Sequence, residues 1–87
     1  MKRNGAWERK SKRFRKKYPY CIICGKLAEE VHHIIPLTEG GTHDENNLVS
    51  LCIKHHVRIH KLYRESEMTK RLVINELITL KEEKEDE

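Results

Sequence analysis

Apolar positions fall in separate patches along this chain, and the patches do not share a period. Trp7, Phe14 and Tyr18 lie near one face at helical spacing in a breaker-free stretch rich in Lys and Arg, which predicts a helix from Ala6 to about Lys17. Tyr18-Pro19 ends it, because the residue before a proline is pushed out of the α region. Trp7 is expected as a core anchor, with stacking on a partner ring as the alternative. Val31, Ile34 and Ile35 form a short β-branched run closed by Pro36, and Leu48-Val49-Ser50-Leu51-Cys52 forms a second of matching length, so two strands are expected over 31–35 and 48–52. Between them Thr38, Gly40, Gly41, Asp44, Asn46 and Asn47 mark a long hairpin loop. A helix should run from about Cys52 to Tyr63 or Arg64, and a last one should start at a Ser66 cap with Thr69 and Lys70 in its first turn. Met68, Leu72, Val73, Leu77, Ile78 and Leu80 give that last helix a broad apolar stripe. The stripe is read as packing on the chain's own core or first helix, with a homodimer contact as the alternative. Met1 to Gly5 and the acidic stretch Lys81 to Glu87 are expected to fray. The fold class is α+β in one domain, 1–87. It divides into a basic arm and helix (1–19), a strand–strand–helix core (20–64), and a C-terminal helix with an acidic tail (65–87).

Composition makes that core thin. A chain of 87 residues buries only about 60–65% of its unfolded surface. Only 37% of its residues are hydrophobic and 37% are charged, so it needs a staple besides apolar packing. The formal net charge is +4, and its distribution matters more than its size. Lys2 to Lys17 is strongly basic, with Glu8 as its one acid. A basic arm of this kind suits a polyanion, above all nucleic acid. Arg9, Lys10, Lys12, Arg13, Arg15, Lys16 and Lys17 are the candidate contacts, and a solvated face that only aids solubility is the bland alternative. No apolar run is long enough for a membrane span or a secretory leader. A reducing cytoplasm is therefore expected, where the three cysteines serve as metal ligands rather than disulfides.

The chemistry-bearing residues complete the picture. Cys21-x-x-Cys24 with Gly25 behind it has the form of a zinc knuckle, in which the glycine permits the backbone reversal. A thioredoxin-like redox pair would need a βαβ setting that this chain lacks. Cys52-x-x-His55 supplies a second pair. Three thiolates and one imidazole make a closed tetrahedral set suited to structural Zn2+. Such a site supplies on the order of 10–16 kcal/mol of folding free energy, more than a thin core can replace. His32 and His33 are adjacent on a strand, so they point to opposite sides. His56 and His60 share a helix face at i,i+4. His32, His56 and His60 could hold a second metal with open positions, the mark of a catalytic ion. His33 is then free to take a proton from water, and the Asn47 amide can bond to loop backbone and hold the strand pair in register.

The order Cys21-x-x-Cys24, Val31-His32-His33-Ile34-Ile35-Pro36-Leu37, Gly40-Gly41, Asn47-Leu-Val-x-Leu-Cys52 and His55-His56 resembles the HNH endonucleases, the ββα-metal nuclease fold. It is most similar to their small zinc-containing phage and prophage members, over about Trp7 to Lys61. The resemblance implies that His33 is the general base, Asn47 orients its loop and His56 binds the catalytic metal. Many members carry aspartate where this chain has His32; a histidine there is similar to the colicin DNases, in which it is a metal ligand. Those nucleases also carry a metal-binding histidine one turn after the last motif histidine, which corresponds to His60; contact with phosphate or capping of the helix are the alternatives for that residue. The fourth zinc ligand is commonly cysteine in phage-type members and is His55 here. The implied activity is metal-dependent hydrolysis of DNA phosphodiester bonds, nicking or cutting with weak sequence preference. Its cofactors are a structural Zn2+ and a catalytic Mn2+, Ni2+, Co2+, Zn2+ or Mg2+. DNA is the expected partner, with RNA as a lesser variant, and a homodimer or a phage packaging or restriction partner is a further expectation for a cytoplasmic, bacterial or phage-encoded protein. The rival from another class is a zinc-ribbon-like module that binds DNA and cuts nothing; it gives no reason for His32, His33, Asn47 and His56 to occur together.

Overall fold

The computed structural model describes residues 5–85. The fold is α+β: α1 (Gly5–Lys17), β1 (Glu30–His33), β2 (Leu48–Leu51), α2 (Ile53–Glu65) and α3 (Glu67–Glu85). The strands pair antiparallel with Glu30 opposite Leu51 and His33 opposite Leu48. The loop between them includes two short 3-10 turns, at Leu37–Glu39 and Glu45–Asn47. β1 is shorter at its end than the β-branched run suggests. The last ladder bond runs from Ile34 N–H to the Asn47 carbonyl at 2.8 Å, and the next N–H, that of Ile35, donates to the Asn47 side chain at 2.9 Å. β2 likewise stops at Leu51, because Cys52 becomes the residue that caps α2.

A two-stranded sheet exposes two faces, and each carries a small core. On one face Phe14 of α1 packs with Val31 and Leu48, with Trp7 at its edge. Ser50 on the same face donates to the Tyr18 carbonyl at 2.6 Å. On the other, Val49 and Leu51 pack with Ile34, Ile59 of α2 and Leu77 of α3, next to Cys21 and Cys52. Strand alternation therefore divides the adjacent histidines: His32 shares its face with Val49, and His33 shares its face with Leu48. Tyr18, the third position of the expected α1 docking face, stays 38% exposed, with its ring tilted against Phe14.

Ser66 caps α3, its hydroxyl accepting from the Thr69 N–H at 3.0 Å. The apolar stripe of α3 is only partly used. Leu77 is buried and Val73 and Ile74 pack beside it, while Met68 and Leu72 remain 74% and 63% exposed. Lys70 is buried instead, its ammonium 2.7 Å from both carboxylate oxygens of Glu39, which ties α3 to the hairpin loop. The expectation that the chain frays from Lys81 is corrected: α3 continues to Glu85. The Lys81 ammonium lies 5.4 Å from the centroids of both the Phe14 and Tyr18 rings, and this cation–π contact helps hold the last turns to α1. The rest of the two termini expected to fray, residues 1–4 and 86–87, lies outside the described residues. Among the described residues no helix is long and apolar enough to cross a membrane.

Candidate functional site

The first cluster is built by a knuckle and a helix start. Cys21 N–H donates to Lys26 O at 2.6 Å and Gly25 N–H donates to Cys21 O at 2.9 Å. Gly25 has φ +78°, a conformation glycine takes without steric cost. This turn sets Cys21 and Cys24 beside Cys52 and His55, which frame the first turn of α2. Cys24 Sγ is 3.8 Å from Cys52 Sγ, and His55 Nδ1 is 3.2 Å from Cys52 Sγ and 3.9 Å from Cys21 Sγ. All four ligand atoms lie within 4.8 Å of one another, and the cysteines are free thiols. A Zn–S bond of about 2.3 Å gives a tetrahedron an edge of about 3.8 Å, so the spacing suits zinc far better than a disulfide. Burial pushes the Cys21 thiol up, but the backbone N–H groups of Cys52, Cys24 and Ile23 outweigh it and its pKa is lowered. That favours a thiolate ligand.

The second cluster starts one residue later on α2. His56 Nε2 and His60 Nε2 are 2.9 Å apart, and His32 approaches both edge-on, with ring centroids at 5.7 and 5.4 Å. The ligand atoms of the three residues again lie within 4.8 Å of one another. His32 is 4% exposed, and its Nε2 is buried without a hydrogen-bond partner. Buried polar atoms are normally paired, so an orphaned imidazole nitrogen beside two other imidazoles suits a metal ion. Burial, then the neighbouring His56, His60 and His33, hold the His32 pKa down at about 3. Burial and His60 lower that of His56. Both rings are thus held in the neutral form that a metal requires. The Tyr63 ring stands 5.1 Å from His32, and its hydroxyl donates to Ile34 O at 2.7 Å.

His33 is half-buried under α1. Its Nε2 is 2.9 Å from His43 Nδ1, and the Trp7 ring covers both imidazoles at 4.5 and 4.8 Å. Burial and then His43 lower the His33 pKa. The Asn47 amide makes three bonds to loop backbone. Its oxygen accepts from Ile35 N–H at 2.9 Å, and its nitrogen donates to Ile35 O at 3.0 Å and Thr42 O at 2.9 Å. Gly41 lies so close that an added Cβ would collide with the Ile35 carbonyl. His32, His33, His56 and His60 line one cleft of about 570 Å³ together with Trp7, Arg64 and Lys70.

The basic residues of α1 do not form one uniform face. Arg9, Lys12, Arg13 and Lys16 are exposed and line a groove with Arg15, Pro19, Leu27 and Ala28. Lys10 and Arg15 are half-buried. Lys17 is paired with Glu45 at 3.1 Å, so it is not a free cation. His43, Trp7, Arg64 and Lys70 carry no role in the sequence motifs, yet all four border the two strand histidines or their cleft. Arg64 continues the face of His56 and His60 one turn further along α2, and Trp7 belongs to the apolar face of α1; for His43 and Lys70 no local spacing points to the cleft.

A model of the HNH endonuclease family matches residues 21–62. The Type IV methyl-directed restriction enzyme EcoKMcrA of Escherichia coli (strain K12) is 35% identical over 60 residues, 69% of this chain and 22% of that protein. Anaredoxin of Nostoc sp. (strain PCC 7120) is 37% identical over 43 residues, 47% of this chain and 57% of that protein. The uncharacterized protein YisB of Bacillus subtilis (strain 168) is 39% identical over 54 residues, 60% of this chain and 52% of that protein. The chain thus spans between about a fifth and three fifths of the length of these relatives. The family match begins at Cys21, after α1.

Proposed function

Since the chain belongs to the HNH endonuclease family through residues 21–62, we propose that it is a metal-dependent endonuclease that hydrolyses DNA phosphodiester bonds. The observation that carries this reading is the cluster of His32, His56 and His60, with a buried unpartnered nitrogen on His32, in one cleft with half-buried His33. A binding module that only attaches to DNA has no use for that arrangement. The restriction enzyme among the relatives supports DNA as the substrate.

In this reading His33 removes a proton from the attacking water. Its lowered pKa keeps it neutral, and so able to accept, at neutral pH. Asn47 holds the backbone on which that base sits, through its bonds to Ile35. The exposed cations of α1, with Arg9, Lys12, Arg13 and Lys16 foremost, hold the phosphate backbone without reading bases, which gives weak sequence preference. A divalent ion on His32, His56 and His60 would supply Lewis-acid stabilisation of the charge that develops on the phosphate and leaving oxygens. An imidazole-rich set favours Mn2+, Co2+, Ni2+ or Zn2+, while substrate oxygens keep Mg2+ eligible. Cys21, Cys24, Cys52 and His55 hold a structural Zn2+. One active site cuts one strand at a time, so nicking is the elementary event and duplex cleavage takes two visits or a dimer.

The test is nicking of supercoiled plasmid by zinc-replete protein with each divalent ion added in turn, beside His33→Ala. General-base help is worth about 10²–10⁴ in rate. The variant should lose that much and still bind DNA. No cutting by folded, DNA-binding wild-type protein with any ion would overturn the reading in favour of the binding module.

A further inference from the structure

We propose that His43 is a positioning residue for His33: it accepts the His33 Nε2–H, which leaves His33 Nδ1 as the lone pair that takes the proton from water. This inference rests on the nuclease reading above. Its geometry is independent of that reading.

The two imidazoles meet nitrogen to nitrogen, His33 Nε2 to His43 Nδ1, at 2.9 Å. Between two neutral rings one nitrogen must donate and the other accept. If His43 donated, His33 would spend its lone pair on the bond and carry its own proton on Nδ1, with nothing left to accept a proton. Only the reverse arrangement makes His33 a base. When His33 gains the proton from water at Nδ1, its Nε2–H stays in place and the bond to His43 becomes charge-assisted, hence stronger. The gain therefore falls on the reacting state rather than on the resting one.

The rest of the loop fixes this pair. Asn47 bonds to Ile35, two residues after His33, and to Thr42, one residue before His43. One amide thus clamps both backbone segments that carry the rings. Gly41 N–H donates to Pro36 O at 3.0 Å, and Gly41 fits only because it lacks a Cβ. Trp7 lies over His43 at 4.8 Å with planes 26° apart and over His33 at 4.5 Å with planes 31° apart. The pair is roofed by an aromatic ring from the basic helix.

The test combines spectroscopy with kinetics. In 15N-labelled, zinc-replete wild-type protein, a 15N–15N coupling across the hydrogen bond should join His33 Nε2 to His43 Nδ1, with the proton on His33. Absence of the coupling, or a proton on His43 Nδ1, overturns the proposal without reference to DNA. In plasmid nicking, His43→Ala should lower kcat by about 10–100-fold with KM nearly unchanged, the range for losing a hydrogen bond to a charged group. His43→Asn should restore most of the rate, because its amide oxygen can stand where Nδ1 stood. Equal rates for wild type and His43→Ala, or an asparagine variant no better than alanine, also overturn it. Wild-type protein that shows the coupling and cuts nothing overturns the nuclease reading and the catalytic consequence for His43, and leaves the hydrogen-bond assignment standing.

Discussion

The cysteine-rich cluster and the histidine cluster share a helix start but obey different physical rules. His55 and His56 are neighbours on α2, and successive residues on a helix point about 100° apart, so one turn serves both. The first cluster gathers four donors within 4.8 Å, with Cys21 and Cys52 buried in the core beside Leu51, Ile59 and Leu77. Four donors close a tetrahedron and leave no position for substrate. The second gathers three donors, mixes buried His32 with exposed His60, and opens into a cleft. An ion held by three donors would keep a position open for substrate. The proposed function invests the closed cluster in folding and the open one in reactivity, and this contrast can be tested by removing parts of each.

The largest effect should come from the closed cluster. Cys52→Ser, or chelation strong enough to strip zinc, should unfold the chain, since such sites supply on the order of 10–16 kcal/mol. Far-UV circular dichroism reads this directly, and a Cys52→Ser protein with full helical signal would erase the distinction. Next, Leu77→Ala removes the buried α3 side chain packed in the core beside Cys21 and Cys52 and should cost about 2–5 kcal/mol in zinc-replete denaturation. A smaller loss would mean that α3 is not needed to support the closed site. His56→Ala should do the opposite. Its stability change should stay below about 1 kcal/mol, as for a partly exposed position, while metal analysis finds one ion per chain fewer and nicking disappears. A variant that keeps both ions would remove His56 from the open cluster. The smallest effect belongs to α1, which lies outside both clusters. Lys12→Ala with Arg13→Ala should flatten the dependence of log affinity on log salt by about one unit for each phosphate that no longer meets a cation, without changing metal content. An unchanged slope would place the DNA-binding surface elsewhere.

Much of this was legible before any fold was known. The knuckle, the i,i+4 pair His56 and His60, and the alternation of His32 and His33 are consequences of short-range backbone geometry, which a few residues suffice to dictate. The strands and helices could be read for the same reason, with most of their ends shifted by one or two residues. Less legible were the features that depend on what packs against what. Lys70 falls in the first turn of α3 as expected, but nothing local signals that it is buried against Glu39. The acidic C-terminal stretch looked frayed until Lys81 met the Phe14 and Tyr18 rings.

By itself, then, the sequence determined the donor sets and the period of every element, because spacing along a strand, turn or helix is a local property. Only the tertiary structure decided that Trp7 roofs the two loop-side imidazoles, that His43 meets His33 across the hairpin loop, and that Lys17 is paired with Glu45 rather than free. Those neighbours are remote in sequence, and they meet only once the two small cores have set α1 and the loop against the same sheet.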